Sequence, residues 1–125
     1  MILKCADWLE KVKTEGERVD VGPAENFLSE WVTACPYLNY THNVRIDGVF
    51  GDVPGLSTYY MAGWVRNALS PSPTKPTQLD NCIAGMRCAV EVYRMNHSFP
   101  RSKAFGEVVK AEKNGTLKEW VADRL

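Results

Sequence analysis

Residues 80–96, DNCIAGMRCAVEVYRMN, decide the fold, because they predict a long helix that is apolar around more than half of its circumference. A helix with so little polar surface lies at the centre of its domain. Gly85 and Ala89, one turn apart, would let another backbone approach it closely. Its charged residues fall on one narrow strip: Asp80, Arg87, Glu91 and Arg94.

The rest of the chain predicts further helices, for a total of about five. Apolar residues recur at helical spacing in residues 2–12, 23–35 and 57–69, and in two short segments within residues 102–125. The long helix is expected to start with Asp80 or Asn81 as its N-cap. Ser102 and Gly115 are the expected caps of the next helix. A capping box at residues 116–119 favours a final helix there, whereas Asn114-Gly115 would suit a hairpin turn.

One segment departs from the helical pattern. Val44, Ile46, Gly48 and Phe50 alternate with their neighbours and predict a short strand, paired with residues 18–21, a partner or a second copy of the chain. The predicted fold is therefore α+β and predominantly α, with a small antiparallel β element. Residues 1–125 are expected to form a single compact domain, in which the proline-rich residues 70–78 are an internal connector.

Length and composition exclude several classes of protein. The 125 residues are 45% hydrophobic, which is too many for intrinsic disorder and suits one domain. The longest apolar runs fall short of a membrane span, and the first residues lack the pattern of a signal peptide. We therefore expect a cytoplasmic protein. Its four cysteines are expected to be buried thiols without disulfides.

The zero net charge hides an uneven distribution. Residues 1–30 contain seven acidic and four basic residues, whereas residues 81–125 contain eight basic and five acidic residues. Between them, residues 31–64 contain seven of the 13 aromatic residues and few charges. Tyr and Trp with few charges are typical of a desolvated interaction surface, although a domain core has the same composition. The predicted partner-binding residues are Tyr37, Tyr40, His42, Arg45, Tyr59, Tyr60 and Trp64.

Nucleic-acid binding is the first alternative function. Ala111, Gly115 and Val121 have the spacing of a helix-turn-helix, so residues 103–125 could form a DNA-binding unit. Only two basic residues lie on its reading helix, and a solvated charged surface is the competing interpretation. The predicted contact residues are Arg94, Arg101, Lys103, Thr116, Lys118 and Arg124.

Catalysis is the second alternative. Asp47 and Asp52 flank the predicted strand end and could act as a carboxylate pair, although aspartates beside glycines more often serve turn geometry. The chain contains no phosphate-binding glycine loop, no His-Glu-x-x-His zinc motif and no nucleophile elbow. We predict a protein that is not an enzyme and that holds no metal and no cofactor.

The sequence NCIAGMRCAV at residues 81–90, after a proline-rich loop, resembles small accessory proteins of tailed bacteriophages and prophages. In some of those families a similar helix closes an α/β sandwich. The resemblance covers about 15 residues and transfers no functional residue. It implies a bacterial cytoplasmic setting and a role in binding and modulating a host or phage protein.

These observations together predict a non-catalytic, protein-binding module, for example an inhibitor of a host or phage protein. A homo-oligomer is an alternative use of the same aromatic segment. The opposite charges of the two ends of the chain would orient docking.

Overall fold

A computed structural model describes residues 22–34, 43–53, 55–69, 76–95 and 99–125. The described chain contains six α-helices and one short 3-10 helix, Gly48–Phe50. The α-helices are α1 (Gly22–Ala34), α2 (Val44–Asp47), α3 (Leu56–Leu69), α4 (Gln78–Met95), α5 (Lys103–Asn114) and α6 (Leu117–Ala122). The predicted helix at residues 2–12 and most of the proline-rich connector lie outside the described residues.

Helix α4 is the centre of the fold, as its sequence predicts. It packs most extensively against α3 and also contacts α5 and α6, while α1 packs on the other helix of the central pair, α3. Half of the residues of α4 are buried, and its four predicted strip residues are all exposed. Buried side chains from all six helices join one hydrophobic core. None of the described helices is long and apolar enough to span a membrane.

The backbones of α3 and α4 touch where two glycines meet. A Cβ atom on Gly85 would lie 2.6 Å from the carbonyl oxygen of Tyr60. A Cβ atom on Gly63 would lie 2.6 Å from the Cβ of Cys88. Both distances are far below ordinary contact, so only glycine fits at either position without a shift of the helices. The close approach predicted for Gly85 is confirmed.

The predicted β element is wrong, and no strand occurs among the described residues. Residues 44–50 instead form α2 and the 3-10 helix. The Asn43 side chain caps α2 by accepting hydrogen bonds from the backbone N–H groups of Arg45, at 2.9 Å, and Ile46, at 3.3 Å. Ile46 and Phe50 are buried and four residues apart, a spacing that a strand and a helix both place on one face. Val44 distinguishes the helix from the predicted strand. A strand would place it on the same face as Ile46, but Val44 is 85% exposed.

Helix α4 begins earlier than the sequence predicts, with Thr77 rather than Asp80 or Asn81 at its N-cap. The Asp80 backbone N–H donates to Thr77 Oγ1 at 3.1 Å, and the Thr77 N–H donates to Asp80 Oδ2 at 3.2 Å. This is the reciprocal arrangement of a capping box, with Asp in the place of Glu. The hydrogen bond from the Thr77 backbone lowers the pKa of the Asp80 carboxyl below its usual value.

The ends of α5 are as predicted. Ser102 Oγ accepts a hydrogen bond from the Phe105 N–H at 3.1 Å, which caps the first turn. Gly115 adopts a left-handed conformation, with φ of 77°, and closes α5. The hairpin alternative at this glycine is therefore wrong.

The capping box predicted at residues 116–119 is absent, although α6 starts there. The Thr116 side chain makes no N-cap hydrogen bond, and its Oγ1 instead donates to the Ala111 carbonyl at 3.4 Å. The Thr116 backbone N–H donates to the same carbonyl at 2.9 Å, which completes a Schellman motif at the end of α5. Thr116 therefore closes the preceding helix rather than capping the next.

We expect Gly85→Ala to lower the free energy of unfolding by about 2 kcal/mol or more, because the new methyl group must push α3 and α4 apart. Gly106→Ala in α5 is the matched control, since nothing lies within 4 Å of a Cβ there. It should stabilise the protein by about 0.5–1 kcal/mol through helix propensity. Urea unfolding of both variants checks this, and a Gly85→Ala protein as stable as the wild type would contradict the close packing.

Candidate functional site

The aromatic residues predicted to bind a partner are divided by the structure. Tyr59, Tyr60 and Trp64 are 1%, 4% and 4% exposed, so they belong to the core and present no docking surface. Arg45 is exposed on α2. Tyr37, Tyr40 and His42 lie outside the described residues.

One of these buried residues, Tyr60, belongs to a group of aromatic rings that pack against one another in the core. The ring of Phe50 lies 5.5 Å from that of Tyr60 and 5.6 Å from that of Phe105. Phe105 in turn packs edge-on against Tyr93 in α4 at 4.9 Å. These rings connect the 3-10 helix, α3, α4 and α5, and contacts of this kind contribute beyond the burial of apolar area. Residues 31–64 therefore supply two of these core rings, Phe50 and Tyr60, whereas Tyr93 and Phe105 come from α4 and α5.

The described surface instead offers a candidate site along the exposed strip of α4. A depression of about 350 Å³ lies between α3 and α4, and another of about 410 Å³ lies between α4 and α5. Arg87 and Glu91 line both depressions and form the ridge between them. We call this region the α4 face. It is defined by Arg66, Arg87, Glu91, Arg94, Met95 and Glu112.

The first depression exists because the residues beneath it are small. Gly63 and Ala84 line it where α3 and α4 are in backbone contact, so no large side chain fills the space. At one end, Asn67 Nδ2 donates a 2.8 Å hydrogen bond to Oδ1 of the buried Asn81. This bond joins the two walls of the depression. Arg66 belongs to α3 and lines the side of this depression opposite the strip of α4.

The second depression combines charge with an apolar end. Arg87 Nε lies 3.7 Å from Glu112 Oε2, and the two side chains are 64% and 31% exposed. Such an exposed and long ion pair is worth little, typically less than about 1 kcal/mol. Arg94 and Met95 complete the depression, and Met95 is 57% exposed. A flexible, polarizable Met side chain on a surface adapts to different apolar partners.

The predicted nucleic-acid residues are exposed to different degrees. Arg94, Lys103, Thr116 and Lys118 are exposed. Two of the predicted arginines pack on aromatic rings of their own chain: the Arg101 guanidinium lies 4.4 Å from the centre of the Tyr93 ring, and that of Arg124 lies 3.8 Å from the centre of the Trp120 ring. Arg124 also donates a 2.9 Å hydrogen bond to the Trp120 carbonyl.

The proposed reading helix, α6, is short and not basic. It has six residues, and it buries Leu117 and Val121. The exposed residues near Lys118 include the carboxylates of Glu119 and Asp123. Phosphate binding favours a concentration of positive charge, so this arrangement does not add support to the helix-turn-helix interpretation. DNA binding through residues 103–125 stays a prediction.

The residues considered for catalysis are not assembled into a site that the structure describes. Asp47 ends α2 and is half-buried, Asp52 is exposed in a turn, and neither lines the α4 face. The described residues contain no cluster of three or more side chains that could hold a metal ion. Catalysis by these aspartates stays a prediction.

The described cysteines are buried thiols, as predicted, and neither Cys82 nor Cys88 is in a disulfide. Burial raises the pKa of the Cys82 thiol, although hydrogen bonds with Tyr60 and Trp64 oppose the effect. A raised pKa disfavours the thiolate, which is the nucleophilic form. The other two cysteines lie outside the described residues.

Comparison with known proteins does not add a relative: no family model, no curated protein and no solved structure matches the chain. The resemblance of residues 81–90 to phage accessory proteins therefore stays a prediction.

Because Tyr59 is buried, we expect its replacement to destabilise the protein. Tyr59→Ala should lower the free energy of unfolding by about 3 kcal/mol or more, because it removes a ring that is 1% exposed. Val44→Ala, at a position that is 85% exposed, should change it by less than about 0.5 kcal/mol. Urea denaturation of both variants gives the comparison. A Tyr59→Ala protein with unchanged stability would show that the ring is not part of the core.

The helix-turn-helix interpretation has its own test. The protein is titrated with a labelled duplex of about 20 base pairs in about 0.15 M salt, with fluorescence anisotropy as the measurement. We expect little binding, because Glu119 offsets the charge of Lys118 on α6 and Asp123 follows directly after the helix. Binding that weakens in Lys118→Ala would instead make residues 103–125 the functional site.

Proposed function

We propose that the protein is a non-catalytic protein-binding module and that it docks its partner on the α4 face. The observation that carries the proposal is the pair of depressions on either side of an exposed, charged strip of the central helix. The strip is thus a ridge between two hollows. A partner surface of complementary shape can pack against both hollows.

The chemistry of the α4 face supports this proposal. Arginine and methionine are enriched at protein–protein interfaces, and the α4 face contains three arginines and an exposed methionine. The planar guanidinium groups can form bidentate hydrogen bonds with a partner's carboxylates. Met95 adds an apolar contact that a polar partner surface would leave unused.

The position of the α4 face on a rigid element is a second support. Its central residues belong to α4, which is held by backbone contact with α3 and by apolar packing with α5 and α6. The backbone of a well-packed helix varies little in position. Less conformational entropy is therefore lost when its side chains bind a partner. This setting suits recognition without a large change of shape.

The biological setting in this proposal comes from the resemblance at residues 81–90. We propose an accessory protein of phage or prophage type, which acts in the bacterial cytoplasm and modulates a host or phage protein. Association of two copies of the chain through the same face is the alternative occupant.

The test is selection of partners from a displayed library of random peptides, with the wild-type protein as bait. The double variant Arg87→Glu/Arg94→Glu should lose most of the selected binders, because it reverses two charges on the α4 face. Lys103→Glu/Lys110→Glu is the matched control: it makes the same charge change on exposed positions of α5 that line neither depression. It should retain the binders.

Two outcomes would overturn the proposal. Selected peptides that bind the double variant as well as the wild type would place the docking surface elsewhere. A wild-type protein that sediments as a dimer and becomes a monomer on Arg87→Glu/Arg94→Glu would show that a second copy covers the face. Circular dichroism and urea unfolding of each variant establish that the charge reversals leave the fold intact.

A further inference from the structure

The charges of the α4 face indicate the chemistry of its partner. This inference rests on the proposed function. Its charged groups are three guanidinium groups and two carboxylates. We propose that the partner segment is acidic: it places two carboxylates about 10 Å apart along α4 and an apolar residue beyond the second.

The spacing follows from the positions of Arg87 and Arg94. The two residues are seven positions apart on α4, so they lie on nearly the same face with a rise of about 10 Å between them. Glu91 lies between them in the sequence and lines the same depression. A partner carboxylate opposite Glu91 would be repelled, whereas carboxylates on either side of it would each meet an arginine. The face therefore selects two separated acidic residues rather than a continuous acidic run.

Arg87 can exchange its present partner for a carboxylate of the ligand. Its Nε lies 3.7 Å from Glu112 Oε2, longer than the roughly 2.7–2.9 Å of a charge-assisted hydrogen bond. The Arg87 side chain is 64% exposed, so the pair with Glu112 is screened by water. A ligand carboxylate that binds the guanidinium in a bidentate manner would be the stronger partner.

The charge around the face favours an acidic ligand over a basic one. A basic segment could pair with Glu91 and Glu112, but it would approach three arginines. The wider surroundings add to this repulsion, because residues 81–125 contain eight basic and five acidic residues. Long-range attraction would speed the encounter with an acidic partner and would weaken as salt is added.

Met95 specifies the apolar part of the ligand. It is 57% exposed and lies next to Arg94, at the last position of α4. Contact with an apolar side chain would remove water from both groups. A ligand residue that follows the second carboxylate would reach it.

The test is a titration of isotope-labelled protein, followed by the amide signals in NMR spectra. The first probe is a helical peptide of about 14 residues with glutamates seven positions apart and a leucine one turn beyond the second. The second probe has lysines in place of the glutamates. The third probe is a single-stranded DNA of about 14 nucleotides, which tests whether any polyanion suffices.

We expect the glutamate peptide to shift amides of α4 around Arg87, Arg94 and Met95, with at least a roughly tenfold preference over the lysine peptide. Arg87→Gln/Arg94→Gln should weaken its binding about tenfold or more, and added salt should weaken it as well. Replacing the leucine of the peptide by serine should weaken binding to the wild type, but should have no further effect on the Met95→Ser protein. This non-additivity would place the leucine on Met95.

Three results would overturn the inference: equal affinity for the glutamate and lysine peptides, shifts confined to residues away from the α4 face, or tighter binding of the DNA on that face. An absence of shifts at millimolar peptide would do the same. Library selection separates this inference from the proposed function. Neutral or basic peptides that need Arg87 and Arg94 would end the inference and leave the proposed function standing. Binders that need neither arginine would end the proposed function.

Discussion

The backbone contact between α3 and α4 is the constraint on which the other packing depends. At Gly63 and Gly85 the two helices approach until there is no room for a single methyl group. The same contact positions Tyr60, because its ring edge lies 2.8 and 2.9 Å from where a Cβ of Gly85 would be. The Tyr60 ring thus occupies space that a larger residue would need. Phe50 packs against Tyr60, and Phe105 packs against Phe50, so the close crossing is propagated through aromatic rings to α5.

Hydrogen bonds between distant residues add directionality to this apolar packing. Asn67 binds the buried Asn81 across the central helix pair. The Tyr93 hydroxyl accepts a 3.0 Å hydrogen bond from the backbone N–H of Ser102, which ties α4 to the start of α5. Buried polar groups are costly without partners, so each such bond favours one orientation of the helices. Both bonds are therefore consistent with the orientation of α4 in which Arg87, Glu91 and Arg94 are exposed.

Sequence patterns predicted features that depend on a single helix or cap. The exposed strip of α4, the close approach at Gly85 and the left-handed Gly115 follow from local periodicity and backbone stereochemistry. The start of α4 was predicted too late because Asp80 is itself a favourable N-cap residue, whereas in the structure its carboxylate pairs with the true cap, Thr77. The predicted strand was wrong because Ile46 and Phe50 share a face in both a strand and a helix.

The α4 face could not be predicted from the sequence alone, because it depends on tertiary packing. Composition cannot separate aromatic residues of a core from those of an interface, and Tyr59 and Tyr60 proved to be core residues. Two lining residues of the α4 face, Arg66 and Glu112, come from α3 and α5. Their proximity to the strip depends on how those helices pack. The sequence placed Arg87 and Arg94 on one strip, but only the packed structure shows hollows on both sides of it.

In the proposed function, stability and recognition would depend on opposite sides of one helix. The buried side of α4 contains Gly85 and Ala89, where added volume would disturb the crossing with α3 or the core. The exposed side contains Arg87 and Arg94, which contribute little to the core, so their replacement changes the surface charge at a small cost in stability. Buried aromatic anchors would not allow this separation, since replacing Tyr59 or Tyr60 removes core volume and any binding function together. If the α4 face docks a partner as proposed, substitutions on this exposed strip of the central helix would change partner specificity while the fold is retained.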